Sequence, residues 1–334
     1  MSRSAFDPSL GAWSAWHDAD IPLRIGVSAC LLGEKVRFDG GHKRSRLVMD
    51  DLGQWFEFVT VCPEVEIGMG IPRPTIRIEE HDGDLRLIAP KTDEDFTRPM
   101  KTFAEQRVGS LQDAGLDGFI LKKGSPSCGP FRMKVYVNGQ PARTDGVGFF
   151  AAELRDRWPH LPLEDEGRLN DNGIRENFIE RVFVHNRWRT QVERGLTRAR
   201  LVAFHTAHKL LLRAHNEAGY RRVGKIVGSA GKVSDRELFT SYEAELLQIM
   251  RYRATPARHT NVLQHALGYL KQSLTPTEKQ EILAAIEDYR NGLLPLIVPL
   301  TLLRYNIRKH EVEYLAGQLY FDPHPKELML RNHA

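Results

Sequence analysis

Three segments of this chain share one pattern, in which an apolar, strand-like stretch leads into a cysteine. The segments are RIGVSAC, FEFVTVC and FILKKGSPSC, which end at Cys30, Cys62 and Cys128. Runs rich in Val, Ile and Phe that stop at turn-forming residues are typical of strands. These are the only cysteines in 334 residues. So few cysteines argue against a disulfide framework and suit a reducing cytosol, where thiols more often bind metals or catalyse.

Helical patterns lie between the strand-like segments of the first half. They are SRLVMDDLGQWF and DFTRPMKTFAEQRVGSLQDAG, and the second ends on Gly115, as helices often do. This alternation predicts an N-terminal α/β domain, Rossmann-like, with a largely parallel sheet and flanking helices. Sites in such sheets lie at the carboxyl ends of the strands. The three cysteines are therefore expected to meet at one edge of the sheet.

Three thiolates in one place predict a metal site. A 4Fe–4S cluster normally takes four protein thiolates, so three would leave one iron open to a substrate atom. Two other interpretations stay open at this point. The cysteines are buried small apolar residues, or they hold a structural zinc in a non-catalytic nucleic-acid-binding protein. Zinc sites usually have a fourth ligand and CxxC pairs, and neither pattern is present.

The second half of the chain has helical spacing throughout and predicts an all-α domain. TPTE, at Thr275 to Glu278, is a capping-box pattern with proline at the first helical position. The domain boundaries that we predict are 20–157 for the α/β domain, 158–173 for a linker and 174–330 for the helical domain. The net charge is −4 over the first 170 residues and +8 over the remainder. This asymmetry suggests that the helical half binds a polyanion.

Composition excludes several other classes of protein. The longest apolar run, Gly292 to Leu303, is short and contains two prolines, so no membrane span is expected. The first twenty residues include acidic side chains and lack an apolar core, which predicts no signal peptide. We therefore expect a cytoplasmic protein.

The three cysteine motifs closely resemble those of the thiouracil desulfidases of the TudS family. They are VSACLLG, VCPE followed by PR, and SPSCG, and the likeness covers residues 20–152. Many relatives carry a further cysteine after the first motif, where this chain has Val36. The second half resembles the YbgA-like helical domain, through FHTAHKLLLRAH, HTNVLQHALGYLK and LIVPLTLL. The fusion resembles the RudS proteins, which convert 4-thiouridine in transfer RNA to uridine.

The resemblance implies a 4Fe–4S cluster with three ligands, Cys30, Cys62 and Cys128, and one open iron. It implies a non-redox desulfidase that replaces C=S by C=O and releases sulfide. Glu64 and Ser125 match the acid/base and positioning groups of the family. A loop carboxylate capping backbone N–H groups and a turn serine are the structural alternatives for these two residues.

Further polar residues in the motifs are candidates for contact with substrate or cluster: Ser28, Arg37, Asp39, Arg73, Lys122, Lys123 and Ser127. Asp39 is alternatively part of a turn, and Arg73 alternatively pairs with Glu66. In the helical half, basic residues beside Trp188 are candidates for binding transfer RNA: Arg187, Arg189, Arg194, Arg198, Arg200, His205, His208 and Lys209. The alternatives are a solvated charged face and a desulfidase of free thiouracil or its nucleosides.

Overall fold

A computed structural model describes residues 12–332 and divides into two compact units. The first unit spans residues 22–171. The second combines residues 12–21 with residues 172–332. Much of the segment for which the sequence predicts no signal peptide, residues 1–11, lies outside the described part.

The first unit contains two β-sheets. Its strands are β1 (Arg24–Ser28), β2 (Glu57–Val61), β3 (Arg77–His81), β4 (Asp84–Ala89), β5 (Glu94–Asp95), β6 (Gly118–Leu121), β7 (Met133–Val137), β8 (Gln140–Gly146) and β9 (Leu163–Asp165). One sheet has the order β2-β1-β6-β9, and all its strands are parallel. Nearly every residue of β1 and β6 is buried, as expected for parallel strands covered on both faces. The predicted parallel α/β sheet is confirmed.

The second sheet has the order β5-β4-β3-β7-β8, and only its β3–β7 pair is parallel. It contains the segments LRLIAP and MKVYVNG, whose runs of Leu, Ile and Val between turn-forming residues are typical of strands. Its hairpins turn at Asp82–Gly83 and at Asn138–Gly139, and φ is positive at all four residues. Asp-Gly and Asn-Gly pairs favour this left-handed conformation, so both hairpin signals are present in the sequence.

Three α-helices belong to the first unit. They are α1 (Pro63–Glu66), α2 (Thr97–Asp113) and α3 (Phe149–Arg157). Apolar residues of α2 and α3 form one core with the sheet, in which the rings of Phe119 and Phe150 meet edge to face at 5.7 Å. The predicted helix SRLVMDDLGQWF is reduced to one short helical segment, Leu47–Leu52.

The predicted linker, 158–173, is for the most part integrated in the first unit. β9 lies within it and pairs with β6, with Leu163 opposite Phe119. Leu161 is buried in the core. A three-residue strand with two acidic residues has no apolar alternation, and only its pairing with β6 reveals it.

The second unit is all-α, as predicted. Its helices are α4 (Asn172–Glu193), α5 (Arg198–His215), α6 (Glu217–Gly228), α7 (Asp235–Met250), α8 (Pro256–Leu270), α9 (Pro276–Arg290), α10 (Ile297–Lys309) and α11 (Glu313–Ala316). The capping box at α9 is confirmed, because Thr275 and Glu278 each accept the other's backbone N–H. Across residues 12–332, every helix is too short or too polar to span a bilayer.

Candidate active site

The three cysteines follow three neighbouring strands of the parallel sheet. Cys30 lies in the helical turn after β1, Cys62 directly follows β2, and Cys128 lies in the loop after β6. Because β2, β1 and β6 are adjacent and parallel, their carboxyl ends share one edge of the sheet. The fold therefore brings together residues that lie up to 98 positions apart in the chain.

A cleft of about 370 Å³ opens at this edge. It contains the three cysteines and most of the polar residues predicted from the motifs. Its polar lining is Ser28, Cys30, Arg37, Lys43, Cys62, Glu64, Arg73, Thr75, Lys122, Lys123, Ser125 and Cys128. Apolar and backbone walls complete it, among them Val36, Phe38, Val61 and Ile76. Asp39 and Ser127 do not line the cleft.

Burial strongly favours the neutral form of all three thiols. It raises the pKa of Cys30 and of Cys62 to about 11, and raises the pKa of Cys128 well above its ordinary value. The negative charge of Glu64 raises all three further, and a hydrogen bond from Ser28 lowers the pKa of Cys128. The thiols also affect one another, which shows that they lie within electrostatic range. A metal displaces thiol protons when it binds, and three soft sulfur donors in one cleft are a donor set that fits a thiolate-bound cluster.

The described residues do not favour a single-ion site. Between residues 12 and 332, no three His, Cys, Asp or Glu side chains converge closely enough to hold one metal ion. A cluster of four irons is larger than one ion and requires more widely spaced thiolates. Val36, at the position of the extra cysteine in relatives, contributes a carbonyl 3.8 Å from the Cys62 sulfur and no ligand side chain.

Glu64 projects from the first turn of α1 into the cleft, with about 13% of its side chain exposed. Its Oε1 accepts hydrogen bonds from Ser125 Oγ, at 3.2 Å, and from Ser127 Oγ. Its Oε2 lies 3.7 Å from the Cys62 sulfur and 3.9 Å from Arg73 Nη2. The carboxylate is thus held by two hydroxyls while one oxygen faces the thiols.

Ser125 both shapes its loop and contacts the carboxylate. Its Oγ accepts the backbone N–H groups of Ser127, at 3.3 Å, and of Cys128, at 3.1 Å. The same Oγ lies 2.9 Å from Ser127 Oγ, and Ser127 is fully buried. Ser127 Oγ lies 3.9 Å from the Cys128 sulfur. The SPSC loop therefore links the position of a thiol to the position of Glu64.

Gly148 is expected to tolerate no side chain, because the SPSC loop packs on its α-carbon. A Cβ there would lie 2.5 Å from the carbonyl oxygen of Ser127 and 2.8 Å from the backbone nitrogen of Gly129. Backbone atoms cannot move aside as side chains do, so Gly148→Ala should lower the free energy of unfolding by about 1–3 kcal/mol. Urea unfolding followed by circular dichroism measures this.

The matched control for this prediction is Gly109→Ala in α2. A Cβ there approaches only the end of the flexible Arg157 side chain, at 3.8 Å. Alanine is favoured over glycine within helices by up to about 1 kcal/mol. The two glycine substitutions should therefore change stability in opposite directions, and a neutral Gly148→Ala would contradict the packing argument.

Arg73 pairs with Glu64 rather than with Glu66, the alternative suggested by the sequence. Its side chain is 6% exposed and also donates to the carbonyl of Gly70, at 3.2 Å. Glu66 instead pairs with Arg107 at 3.2 Å and accepts the N–H of Cys62 at 3.0 Å. Of the two acidic residues in the CPEVE motif, Glu64 thus faces the cleft, and Glu66 holds the end of β2 in place.

A second acidic residue orders the lysine pair. One carboxylate oxygen of Glu166 accepts a hydrogen bond from the Lys122 ammonium. The other accepts one from the backbone N–H of Lys123, at 2.6 Å. The backbone N–H of Lys122 also donates to Ser28 Oγ at 3.0 Å. Glu166 falls in the predicted linker, and its place in the sequence gives no signal of this role. Lys43, thirteen residues beyond Cys30, also lines the cleft, and its place in the sequence likewise gives no signal of this.

Arg37 and Asp39 take different roles. Arg37 lines the cleft, with its guanidinium 5.3 Å from the centre of the Phe38 ring. Asp39 is exposed, lies 3.6 Å from Arg37, and accepts the N–H of Gly41 at 3.0 Å. Asp39 therefore acts as a turn residue. It lies outside the cleft, which corrects the prediction that it contacts the substrate.

Three of the residues predicted to bind RNA lie in the core of the helical unit, which corrects that prediction. Arg187 is 2% exposed and donates to the carbonyl of Pro323, and burial lowers its pKa to about 9. His205 contacts the Tyr242 hydroxyl at 3.3 Å, and burial lowers its pKa to about 4. His208 is fully buried. Helical spacing placed these residues on one face, and that face packs inward.

The remaining candidates in this unit are more accessible, but most have partners. Arg194 pairs with Asp18 at 2.8 Å and Asp20 at 3.1 Å, and Arg198 pairs with Asp235 at 2.6 Å. Arg189 pairs with Glu193, and Arg200 donates to the carbonyl of Arg194. Lys209 is half-buried. Arg189 and Arg194 are thus already neutralised by carboxylates, as is Arg198.

The fold and the cleft agree with the family comparisons. Residues 25–166 match the model of the 2-thiouracil desulfurase family, and residues 209–325 match a family of proteins of unknown function, DUF1722. The chain thus joins a 2-thiouracil desulfurase domain to a DUF1722 domain.

Two curated relatives each correspond to one half. The uncharacterized protein YbgA of Escherichia coli (strain K12) is 31% identical over 165 residues, which cover 49% of this chain and 98% of that protein. The chain therefore belongs to the YbgA family. The uncharacterized protein YbbK of Bacillus subtilis (strain 168) is 29% identical over 153 residues, 44% of this chain and 98% of its own length.

One similar protein has a solved structure, the 4Fe–4S-dependent thiouracil desulfidase TudS. It is 30% identical in sequence, and the match covers 45% of this chain and 94% of that chain with a TM-score of 0.36.

Proposed function

We propose that this protein is a 4Fe–4S-dependent desulfidase that acts on thiolated uracil, with 4-thiouridine in transfer RNA as its substrate. The observation that supports this most directly is the cleft of the desulfurase domain, where Cys30, Cys62 and Cys128 lie beside Glu64 and Ser125. The similar protein TudS, which depends on such a cluster, adds support. The reaction is hydrolysis, in which water and C=S give C=O and hydrogen sulfide without net electron transfer.

The three cysteines would hold the cluster. A cluster held by these thiolates would supply a thiophilic Lewis acid suited to a thiocarbonyl sulfur. Glu64 accepts a proton from the attacking water through Oε2, the oxygen nearer the thiols. Ser125 and Ser127 hold Oε1 and so fix the direction of the other oxygen. A positioned carboxylate of this kind typically contributes 10²- to 10⁴-fold to the rate.

The choice of substrate rests on different observations. A cleft of about 370 Å³ suits one base or nucleoside, so free thiouracil and its nucleosides form the alternative. The charge of the second half, +8 over residues 171–334, favours a polyanion. Transfer RNA is therefore the partner that we propose, and sulfide is the second product. Three free cysteines suit a reducing compartment such as the cytoplasm.

Anaerobic reconstitution with iron and sulfide, followed by incubation with transfer RNA that contains 4-thiouridine, tests the proposal. We expect the near-ultraviolet thiocarbonyl band to disappear with release of one sulfide for each thiouridine. The variant Cys128→Ala should release none, because it lacks one cluster ligand. Parallel reactions with 4-thiouridine nucleoside and with 2-thiouracil rank the substrates.

Each result separates two of the candidate functions. An unchanged band in RNA, together with sulfide release from a free base, would assign the activity to the alternative substrates. A protein that binds zinc and assembles no cluster would contradict the enzyme interpretation altogether.

A further inference from the structure

A second groove, of about 360 Å³, lies beside the active-site cleft in the first unit. It is lined by residues of β3 and β7 and of the loop before β7. The two depressions share three lining residues, Ile76, Gly124 and Pro126. The two depressions therefore adjoin, and a ligand longer than one nucleotide could extend from the cleft into the groove.

The alternation of β7 explains the chemistry of the groove. Met133 and Val135 point inward and pack with Ile78 in the core, whereas Lys134 is exposed. The pairing of β3 with β7 places Glu79 opposite Tyr136, so their side chains share the outer face. Both faces contribute to the lining of the groove: Lys134 and Tyr136 come from the outer face, and Ile78 and Met133 come from the apolar face.

The groove has cations without matching carboxylates. Arg132 and Lys134 are both exposed, and within residues 12–332 neither side chain has an ion-pair or hydrogen-bond partner. Arg77 lies with its guanidinium 4.6 Å from the centre of the Tyr136 ring and also binds Glu79 at 2.6 Å. Two free cations therefore precede a half-buried aromatic ring along the same segment.

We propose that this groove binds single-stranded RNA next to the thiolated nucleotide. Arg132 and Lys134 would contact successive phosphates, and Tyr136 would stack on a neighbouring base. Positive side chains that follow a backbone, interleaved with aromatic rings, are the usual means of binding single strands without strong sequence preference. The inference rests on the proposed function, because the thiolated nucleotide in the cleft determines where the bound RNA enters the groove. The inference assigns RNA contacts to the desulfurase unit, whereas the sequence pattern had suggested them for the helical unit.

The test measures binding of the reconstituted full-length chain to a fluorescein-labelled, uridine-rich single-stranded RNA that lacks sulfur. Fluorescence anisotropy at several salt concentrations gives the Kd and its salt dependence. For R132A/K134A, loss of two phosphate contacts should reduce the slope of log K against log salt by about 1.4, since each contact on a single strand contributes about 0.7. Because this ionic term vanishes near 1 M salt, the Kd at 0.1 M should rise about 25-fold.

The control is K91A/R98A, which removes the same charges from exposed positions of the same unit outside both depressions. Its Kd should stay within about twofold of the wild-type value. The charge-conserving variant R132K/K134R should retain the wild-type salt slope. Tyr136→Ala should raise the Kd about fivefold or more with an unchanged slope, because stacking is not ionic.

Three outcomes would overturn the inference: absence of RNA binding in the wild-type chain, a wild-type salt slope in R132A/K134A, or equal weakening in the control pair. Thermal melting by circular dichroism shows whether each variant is folded, and the charge-conserving variant supplies the same comparison if alanine is not tolerated. The RNA lacks sulfur, so the binding result does not depend on desulfidase activity. Failure of the groove and failure of the proposed function are thereby distinguished.

Discussion

Replacement of Glu64 by glutamine should lower the rate of sulfide release by about 10²- to 10⁴-fold while the iron content of the reconstituted protein stays unchanged. The amide keeps the shape of the carboxylate and still accepts hydrogen bonds from Ser125 and Ser127. It cannot take a proton from water, and a positioned general base contributes a factor of this size. Sulfide assay and visible absorbance of the cluster, measured on the same sample, give both quantities.

The matched control is Glu57→Gln, at the opposite end of β2. Glu57 is exposed and pairs with Arg24 at 3.2 Å, remote from the thiols along the strand. Its activity should equal that of the wild type. Full activity in Glu64→Gln would remove this residue from the mechanism. Loss of iron together with activity would show that Glu64 supports the cluster rather than the chemistry.

Arg331→Met should lower the free energy of unfolding by about 3–5 kcal/mol, because it removes a buried cation that pairs with two carboxylates of the helical unit. Arg331 is 5% exposed and lies 2.8 Å from Glu180 and 3.3 Å from Glu176. His215 contacts the other oxygen of Glu180 at 3.0 Å and the carbonyl of Tyr252 at 2.6 Å in the wild type, so it gains no contact when Arg331 is removed. Urea unfolding of the full chain measures the loss.

The same substitution at an exposed position, Arg198→Met, provides the control. Arg198 and Asp235 are both about half exposed, and such surface pairs contribute about 1 kcal/mol or less. A loss of similar size in both variants would contradict the argument that burial gives Arg331 its importance.

The effect of Arg331 should also depend on pH. Burial alone would raise the pKa of Glu180, but the hydrogen bond from His215 and the charge of Arg331 outweigh burial and hold the pKa well below its usual range. A lowered folded-state pKa stabilises the fold above the unfolded value of about 4.3, and this stabilisation is lost as pH falls toward the folded value. The difference between wild type and Arg331→Met should therefore be full near pH 7 and shrink below about pH 4.

Much of the active site was predictable because its signals are local. An apolar strand that stops at a turn defines where Cys30 and Cys62 lie, and adjacent parallel strands bring such positions together. Glu64 follows Cys62 by two residues, so the same reasoning brings it into the cleft. The Asp82–Gly83 and Asn138–Gly139 pairs are equally local signals, and the hairpins of the second sheet follow from them.

Other features depend on partners that are distant in the chain. Leu163 belongs to a strand only because Phe119 lies opposite it, and Glu166 acquires its role only where β9 brings it beside Lys122. Whether a charged helical face meets solvent or the core is also decided by packing, as the buried Arg187 shows. Periodicity shows which residues share a face, but it does not show what covers that face.

The sequence by itself determined the two-part organisation, the parallel sheet and the three cysteine motifs, because strand, turn and helix preferences act over a few residues. The tertiary structure decided which polar residues share the cleft, which basic residues are buried and where the free cations of the second groove lie. Those outcomes depend on burial and on long-range pairing, and both arise only when the whole chain is folded.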